Sequence, residues 1–150
     1  GFADYQEISY QEVLESHSEK DLDEDLRFSL ASQELNPGRF IIKDYPADKA
    51  VLARLDEDNK DIARRFEFVV DGLELANGYF ELKDWSKHME RFATDNLVRE
   101  ARELPTIDID EKFMTSIRAG LPDCAGVALG FDRLLMLKMG ERDIGAVQLF

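Results

Sequence analysis

Arg65-Phe-Glu-Phe-Val-Val-Asp-Gly-Leu-Glu-Leu-Ala-Asn-Gly-Tyr-Phe-Glu81 is the stretch that decides the fold of this chain of 150 residues. Its first six residues alternate polar and large apolar side chains, Asp71-Gly72 is a frequent two-residue hairpin turn, and the strand pattern then resumes. The stretch therefore predicts a β-hairpin in which Val69 lies opposite Glu74.

Three glutamates recur in this hairpin at a spacing of seven residues: Glu67, Glu74 and Glu81. Because side chains alternate with period two, Glu67 and Glu74 share one face as diagonal neighbours. Carboxylates that close repel each other unless a cation or a shared proton lies between them, so the pair predicts a divalent metal site or a perturbed acid. Strict alternation would put Glu81 on the opposite face, and a bulge at Asn77-Gly78 would return it. The alternative is an acidic, solvated hairpin face.

The composition describes an ordinary globular domain with a strong acidic excess. The chain has 44% apolar residues, and its 32 acidic and 19 basic residues give a formal charge of −13. This charge disfavours nonspecific binding to nucleic acid or an anionic membrane. The lone Cys124 excludes an internal disulfide, and His17 and His88 are too few for a Cys/His zinc site. A reducing, cytoplasmic setting is expected.

The segments before the hairpin predict two helices and a strand. Ser9 can cap a short helix whose polar excess indicates an exposed, peripheral position. Residues 21–35 carry a helical stripe that stops at an Asn-Pro-Gly turn, and Arg39 to Lys43 is typical of a short buried strand.

After the hairpin, the pattern predicts two more helices. Asp84 or Ser86 can cap a long helix that ends before Pro105, and Asp110 can cap a shorter one that ends at Gly120. The apolar positions of the long helix follow the i, i+3, i+4 rule and are Met89, Phe92, Ala93, Leu97, Ala101 and Leu104.

The stretch from residue 120 to 140 predicts a loop, a strand and a helix. We expect a short buried strand from Ala125 to Leu129 and a helix from Phe131 to Met139 that is apolar almost all round and therefore buried. Small residues, which let a ligand or another backbone approach closely, occur at Gly126, Ala128 and Gly130.

Arg133 falls in the first turn of that helix. Free N–H groups, the helix dipole and the guanidinium can converge there on one phosphate. The alternative is a surface pair of Asp132 and Arg133, with the neighbouring glycines serving only for packing.

Together these stretches resemble the C-terminal part of the catalytic core of class II aminoacyl-tRNA synthetases of the lysyl type. Gly72-Leu-Glu-Leu-Ala-Asn-Gly-Tyr-Phe-Glu-Leu-Lys-Asp84 resembles the segment that carries the family's metal, ATP and amino-acid contacts, and Gly126 to Arg133 resembles its third signature motif. Tyr45-Pro-Ala-Asp-Lys-Ala50 is similar to the branch that attaches β-lysine to elongation factor P. The resemblance implies an α+β fold with a mainly antiparallel sheet flanked by helices.

For the nucleotide, the resemblance implies that Glu67 and Glu74 hold the Mg²⁺ that bridges the ATP phosphates. Glu74 and Leu75 would lie at the nucleotide, Gly130 would let the adenine approach, and Arg133 would clamp phosphate or stack on the base. Hard carboxylate oxygens suit Mg²⁺.

For the amino acid, the resemblance implies that Glu81 receives the ammonium of a lysine-type side chain, with Asn77 and Tyr79 lining the pocket. Ala76 and Ala128 stand where the tRNA-charging enzymes usually have glycine. An added methyl group in a tight pocket is worth about 1 to 3 kcal/mol, so Ala128 is expected to favour a β-amino acid.

The resemblance therefore implies ATP-dependent activation of a lysine-type amino acid, (R)-β-lysine, as its adenylate, and transfer to a lysine side chain of elongation factor P. The alternatives are the catalytic core of a lysyl-tRNA synthetase, with tRNA-Lys as acceptor, and a noncatalytic regulatory or interaction paralogue. The family's first and second motifs are not found, so residues 1–150 are expected to be the C-terminal part of one catalytic domain, homodimeric at full length and inactive alone.

Overall fold

The structure is a computed structural model and describes residues 4–148. Its helices are α1 (Tyr10–Ser16), α2 (Glu24–Gln33), α3 (Trp85–Ala101), α4 (Glu111–Ala119) and α5 (Phe131–Met139). Its strands are β1 (Gln6–Ser9), β2 (Arg39–Lys43), β3 (Tyr45–Pro46), β4 (Ile62–Ala63), β5 (Arg65–Val70), β6 (Leu73–Phe80) and β7 (Ala125–Leu129). Two short 3₁₀ helices cover Ala47–Lys49 and Ile144–Ala146.

Five strands form one sheet in the order β1-β2-β5-β6-β7, and β3 pairs with β4 separately. β1 runs parallel to β2, and all other neighbours in the large sheet are antiparallel. The predicted α+β fold, a mainly antiparallel sheet flanked by helices, is confirmed.

The hairpin of β5 and β6 forms as predicted, with Val69 opposite Glu74. Asp71 and Gly72 both have positive φ, 49° and 77°, which is the conformation of the hairpin turn favoured by Asp-Gly. A β-carbon at Gly72 would collide with the carbonyl oxygen of Gln33 at the end of α2, so glycine is required there for space as well as for backbone conformation.

A bulge interrupts β6 at Leu75, not at Asn77-Gly78 as predicted. Phe68 pairs with Ala76 while Val69 pairs with Glu74, which leaves Leu75 without a partner on β5. The Leu75 side chain is buried, and its carbonyl oxygen accepts a hydrogen bond from the Gly130 N–H at 2.8 Å. Since one extra residue reverses the alternation, the residues after the bulge change face.

The main core lies between the sheet and the first two helices, and its largest cluster is Tyr10, Val13, Leu14, Ala31, Ile42, Tyr45, Ala50, Ala53, Ala63 and Val69. The prediction that the helix after Ser9 is exposed is wrong, because its three apolar side chains all face this core. Ser9 caps that helix as expected and forms a capping box with Glu12.

The strand and helix after residue 124 have the predicted bounds, but the prediction that they are buried is wrong. β7 is an edge strand with Val127 62% exposed, and only Met136 of α5 is buried. The long helix α3 begins after Asp84, as predicted, yet only His88 on it is buried and Leu97 is exposed. None of the helices within residues 4–148 is long and apolar enough to cross a membrane.

Candidate functional site

The bulge at Leu75 brings the predicted site residues of three strands onto one face of the sheet. Glu67 on β5 pairs with Asn77 on β6, which in turn pairs with Ala128 on β7. Tyr79 lies two residues after Asn77, so its side chain points to the same face. The sequence predicted a shared face for Glu67 and Glu74 only, and it assigned the bulge that returns Glu81 to the wrong position.

Glu67 is a buried carboxylate, only 8% exposed. Its Oε1 atom accepts hydrogen bonds from Arg65 Nη2 at 2.6 Å and from Asn77 Nδ2 at 3.1 Å. Burial raises the pKa of the Glu67 carboxyl above its ordinary value, the Arg65 charge opposes this shift, and the charge of Glu74 adds to it. The alternative of a solvated face is therefore wrong at this position, and the choice between a metal site and a perturbed acid stays a prediction.

Tyr79 lies on the same sheet face as the three glutamates. Burial raises the pKa of its phenol, the Arg65 charge opposes that shift, and the charges of Glu67, Glu74 and Glu81 each raise it further. The pairing register places these carboxylates on the face of Tyr79, because Glu67 pairs with Asn77, Glu74 pairs with Val69 on the Glu67 face, and Glu81 follows Tyr79 by two residues. The spacing of seven residues thus brings the acids together in space.

Glu81 lies over Gly126, where a β-carbon would collide with its Oε1 atom. The Glu81 backbone is held on both sides, because its N–H donates to the Cys124 carbonyl oxygen at 3.0 Å and its carbonyl oxygen accepts from Arg54 Nε at 2.8 Å. Within residues 4–148, no side chain donates a hydrogen bond to the Glu81 carboxylate. A carboxylate on a fixed backbone that has no donor of its own can accept a ligand's ammonium group.

Arg133 links α5 to the bulged part of β6. Its Nη1 atom donates to the Glu74 carbonyl oxygen at 2.8 Å and lies 3.7 Å from Glu74 Oε2. The guanidinium therefore contacts Glu74 and not Asp132, and the residue does occupy the first turn of α5 as predicted. It remains half-exposed, so an anion can reach it.

An open cavity of about 410 Å³ lies between the bulge of β6 and the first turn of α5. Of the nine residues that the sequence assigned to the site, six line this cavity: Glu74, Leu75, Asn77, Ala128, Gly130 and Arg133. Glu67, Tyr79 and Glu81 do not line it and lie further along the same sheet face.

The comparisons with known proteins place this arrangement in a family. Residues 2–150 match the family described as tRNA synthetases class II (D, K and N). The chain belongs to this family.

Three relatives show which class II synthetase-like proteins the chain is similar to. Elongation factor P–(R)-β-lysine ligase of Avibacterium paragallinarum is 46% identical over 106 residues, which are 71% of this chain and 33% of that protein. The ligase of the same name from Pasteurella multocida (strain Pm70) is 43% identical over 106 residues, 71% of this chain and 33% of the relative. That from Haemophilus influenzae (strain PittGG) is 46% identical over 103 residues, 69% of this chain and 32% of the relative. The chain thus spans about a third of the length of these curated relatives.

The donor set of this synthetase chain fits Mg²⁺ bound together with a nucleotide. Within residues 4–148, no group of three or more His, Cys, Asp or Glu side chains could hold a metal ion alone. Mg²⁺ is commonly held by one or two carboxylates together with substrate phosphates and water, and Glu67 and Glu74 offer that number. Oε1 of Glu67 already accepts two hydrogen bonds, from Arg65 and Asn77.

Two residues of the site were not identified from the sequence, Arg65 and Tyr45. Arg65 lies two positions before Glu67 on the same strand, and this i, i+2 spacing of opposite charges is a signal that could have been used. The Tyr45 ring packs beneath the Arg65 guanidinium, with the guanidinium carbon 4.3 Å from the ring centroid. The Tyr45 hydroxyl is buried, and no partner in the described chain meets it with hydrogen-bond geometry. No local pattern brings Tyr45 to this place, because it lies on another strand.

Proposed function

We propose that the protein carrying this chain activates a lysine-type amino acid, (R)-β-lysine, with ATP and Mg²⁺ as an aminoacyl-adenylate, and transfers it to a lysine side chain of elongation factor P. The observation that carries this proposal is that three glutamates lie on one sheet face, where Glu74 contacts Arg133, Glu67 is the diagonal neighbour of Glu74, and Glu81 lies over Gly126. The names of the relatives, which share up to 47% identity with the chain, support the amino acid and the acceptor.

Different residues of the site would bind the amino acid and the nucleotide. Glu81 would receive the side-chain ammonium, since its backbone is held in place and its carboxylate accepts no hydrogen bond from the described side chains. Asn77 and Tyr79 would orient the amino acid between Glu81 and the nucleotide. Arg133 would contact a phosphate or the base from the first turn of α5, with Glu74, Leu75 and Gly130 lining the nucleotide side.

The reaction requires positioning and charge neutralisation. A carboxylate oxygen of the amino acid attacks the α-phosphorus of ATP, the bond to the β-phosphate oxygen breaks, and pyrophosphate leaves. Mg²⁺ held by Glu67 and Glu74 would neutralise phosphate charge. No protein nucleophile is needed, so the contribution of this chain is to hold the reacting groups in line.

The rest of the proposal concerns the whole protein. Residues 1–150 would form the C-terminal part of one catalytic domain whose first and second motifs lie outside this sequence. At full length the protein would be a cytoplasmic homodimer, and the 150 residues alone would be inactive. The relatives are about three times as long as the matched segment, which supports a larger catalytic unit.

The second candidate is the catalytic core of a lysyl-tRNA synthetase with tRNA-Lys as its acceptor. The family match supports it, because the description of that family names K, the one-letter code for lysine, beside D and N. Ala128 argues for the β-lysine branch, since it places a methyl group beside Asn77 in the cavity. A noncatalytic paralogue is disfavoured, because the chain retains Glu67, Glu74, Glu81 and Arg133 together.

The test is amino-acid-dependent ATP–pyrophosphate exchange by the complete gene product, with (R)-β-lysine and α-lysine compared. We expect faster exchange with (R)-β-lysine, followed by a mass increase of elongation factor P and no charging of tRNA-Lys. Glu81→Gln should lower exchange by weakening amino-acid binding. Exchange only with α-lysine together with charging of tRNA-Lys would establish the second candidate, and absence of exchange with both amino acids would refute both enzymatic functions.

A further inference from the structure

Arg65 is a nearly buried cation, with its side chain 13% exposed, and it contacts three separate parts of the fold. Its Nη2 atom donates to Glu67 Oε1 at 2.6 Å. Its Nη1 atom donates to the Lys49 carbonyl oxygen at 2.9 Å, and its Nε atom donates to Asn77 Oδ1 at 3.4 Å. The guanidinium therefore joins β5, β6 and the end of the short 3₁₀ helix Ala47–Lys49.

The orientation of the guanidinium is fixed from outside the hairpin. The Lys49 carbonyl oxygen holds one nitrogen, and the Tyr45 ring packs under the guanidinium carbon at 4.3 Å. Arginine suits this position because its planar fork of donors can serve several acceptors while one face stacks on an aromatic ring. Arg65 is therefore fixed by the core and can orient the side chains of Glu67 and Asn77.

Arg65, Glu67 and Asn77 form a closed triangle of hydrogen bonds. Asn77 Nδ2 donates to the same Glu67 oxygen, Oε1, that accepts from Arg65, while Asn77 Oδ1 faces the Arg65 Nε atom. This pattern fixes which end of the Asn77 amide points to the carboxylate.

A purely structural role explains this triangle poorly. Replacing a buried ion pair by apolar residues of similar size is often neutral or stabilising, so burial of Arg65 and Glu67 is weak evidence that they serve stability. The triangle also contains one residue assigned to the metal and one assigned to the amino acid. Because Arg65 contacts both of these residues, binding of one substrate can change the affinity for the other.

We propose that Arg65 is a positioning residue that couples the metal carboxylate Glu67 to the amino-acid residue Asn77, so that Mg-ATP and the amino acid bind cooperatively. The inference rests on the proposed function for the roles of Glu67 and Asn77. Arg65 itself touches neither substrate. It would hold the Glu67 carboxylate in place for the metal, and it would hold the Asn77 amide in the orientation that the amino acid meets.

The test compares Arg65→Lys with the wild-type complete gene product. Lysine keeps the charge but cannot reach three acceptors from one plane. Partners that orient metal ligands typically account for about 10- to 100-fold in metal affinity or activity. We therefore expect the half-saturating Mg²⁺ concentration and the KM for the amino acid to rise together by about tenfold or more, with a smaller change in kcat at saturation.

Arg64→Lys is the matched control. Arg64 is the adjacent residue, its side chain is 49% exposed, and its guanidinium lies 3.6 Å from Asp56 and 5.3 Å from the Phe80 ring centroid. Arg64 lies between β4 and β5, and its guanidinium contacts none of the three residues of the triangle. Its replacement should leave both constants unchanged.

Cooperativity is measured by titrating the amino acid calorimetrically with and without Mg²⁺ and a nonhydrolysable ATP analogue. The Kd for the amino acid without Mg²⁺ and the analogue, divided by the Kd in their presence, should exceed one in the wild type. This ratio should fall towards one in Arg65→Lys. An unchanged ratio, or a loss confined to kcat and melting temperature, would overturn the inference. If circular dichroism shows that Arg65→Lys does not fold, Arg65→Gln, which removes the buried charge, is subjected to the same measurements.

Failure of the proposed function gives a different result. In that case the wild-type protein shows no amino-acid-dependent exchange, which removes the roles of Glu67 and Asn77 as well. An active wild type whose Mg²⁺ and amino-acid constants are insensitive to Arg65→Lys overturns the inference alone.

Discussion

At the residue scale, the space above Gly126 is filled by the carboxylate of Glu81. The sequence suggested that this glycine lets a ligand approach, and the structure shows that the side chain of Glu81 uses the space instead. Gly126→Ala should displace that carboxylate and raise the KM for the amino acid by about tenfold, since one methyl group in a tight pocket is worth about 1 to 3 kcal/mol. The KM for ATP should not change. Steady-state exchange assays of the complete gene product measure both constants.

Gly130→Ala is the contrasting variant for this prediction. A β-carbon at Gly130 would lie 3.4 Å from Arg133 Cδ, an ordinary contact, and far less severe than the collision at Gly126. Any effect of Gly130→Ala should therefore fall on the KM for ATP. Equal effects of both variants on the amino-acid KM would contradict the placement of Glu81 over Gly126.

Ala128 tests the choice between the two lysine isomers. It pairs with Asn77 and lines the cavity, so its methyl group lies where the backbone of the bound amino acid is proposed to sit. Ala128→Gly should shift the ratio of adenylation rates towards α-lysine by about tenfold to a hundredfold, the range that one methyl group supports. Ala125→Gly is the control, because Ala125 lies on the same strand, pairs with Phe80 on the opposite sheet face and does not line the cavity. The same isomer ratio in wild type and Ala128→Gly would refute a role for the methyl group.

At the element scale, the bulge shows why part of the site could not be derived from the sequence. Asp71-Gly72 determines its own turn, because the positive φ values that it prefers are local properties. The bulge at Leu75 depends on a buried side chain and on a hydrogen bond to Gly130, which is 55 positions away in the sequence. Asn77-Gly78 also has a local preference for positive φ, but here it pairs regularly with β5.

Burial was predicted less well than the bounds of elements. The bounds of β2, β7 and α5 agree with the prediction because apolar runs and glycines mark them locally. Whether an apolar residue is covered depends on neighbouring elements, and β7 lies at the edge of the sheet. For the short helix α1 the error is in the opposite direction: it was predicted to be exposed, yet its three apolar residues pack into the core.

Asp123 connects the loop before β7 to the far end of β6. Its carboxylate accepts a hydrogen bond from Arg54 Nη2 at 2.8 Å and forms an ion pair with Lys83. The hydrogen bonds from Lys83 and Arg54 lower the pKa of the Asp123 carboxyl below its ordinary value of 3.8. A lowered folded-state pKa means that this stabilisation is complete above the unfolded-state pKa and is lost as the pH falls through the folded-state value.

Asp123→Asn should therefore destabilise the fold at neutral pH but lose its effect in acid. The difference in urea midpoint between wild type and variant should be largest above about pH 5 and should shrink as the pH falls towards about 3. Because the carboxylate is exposed, the difference should also decrease with added salt. A difference that is constant from neutral to acid pH would show that the charge of Asp123 is not what holds the loop.

At the scale of the whole molecule, an unpaired apolar edge lies beside the candidate site. Within residues 4–148, β7 has a strand partner on one side only, and Val127, Leu129 and Phe131 are all more than half exposed along it. Strand edges with exposed apolar side chains readily pair with other chains. The formal charge of −13 opposes such association, and salt weakens that repulsion.

The isolated 150-residue chain should therefore self-associate, and more strongly as salt is added. Val127→Lys should shift it towards monomer, because a lysine on an edge strand disfavours pairing with a second edge. Val98→Lys is the matched control: Val98 is also an exposed valine, but it lies on α3 away from the sheet edge. Sedimentation velocity of the three chains at low and high salt measures the distribution. Equal shifts for both variants would mean that added charge, and not the edge of β7, controls association.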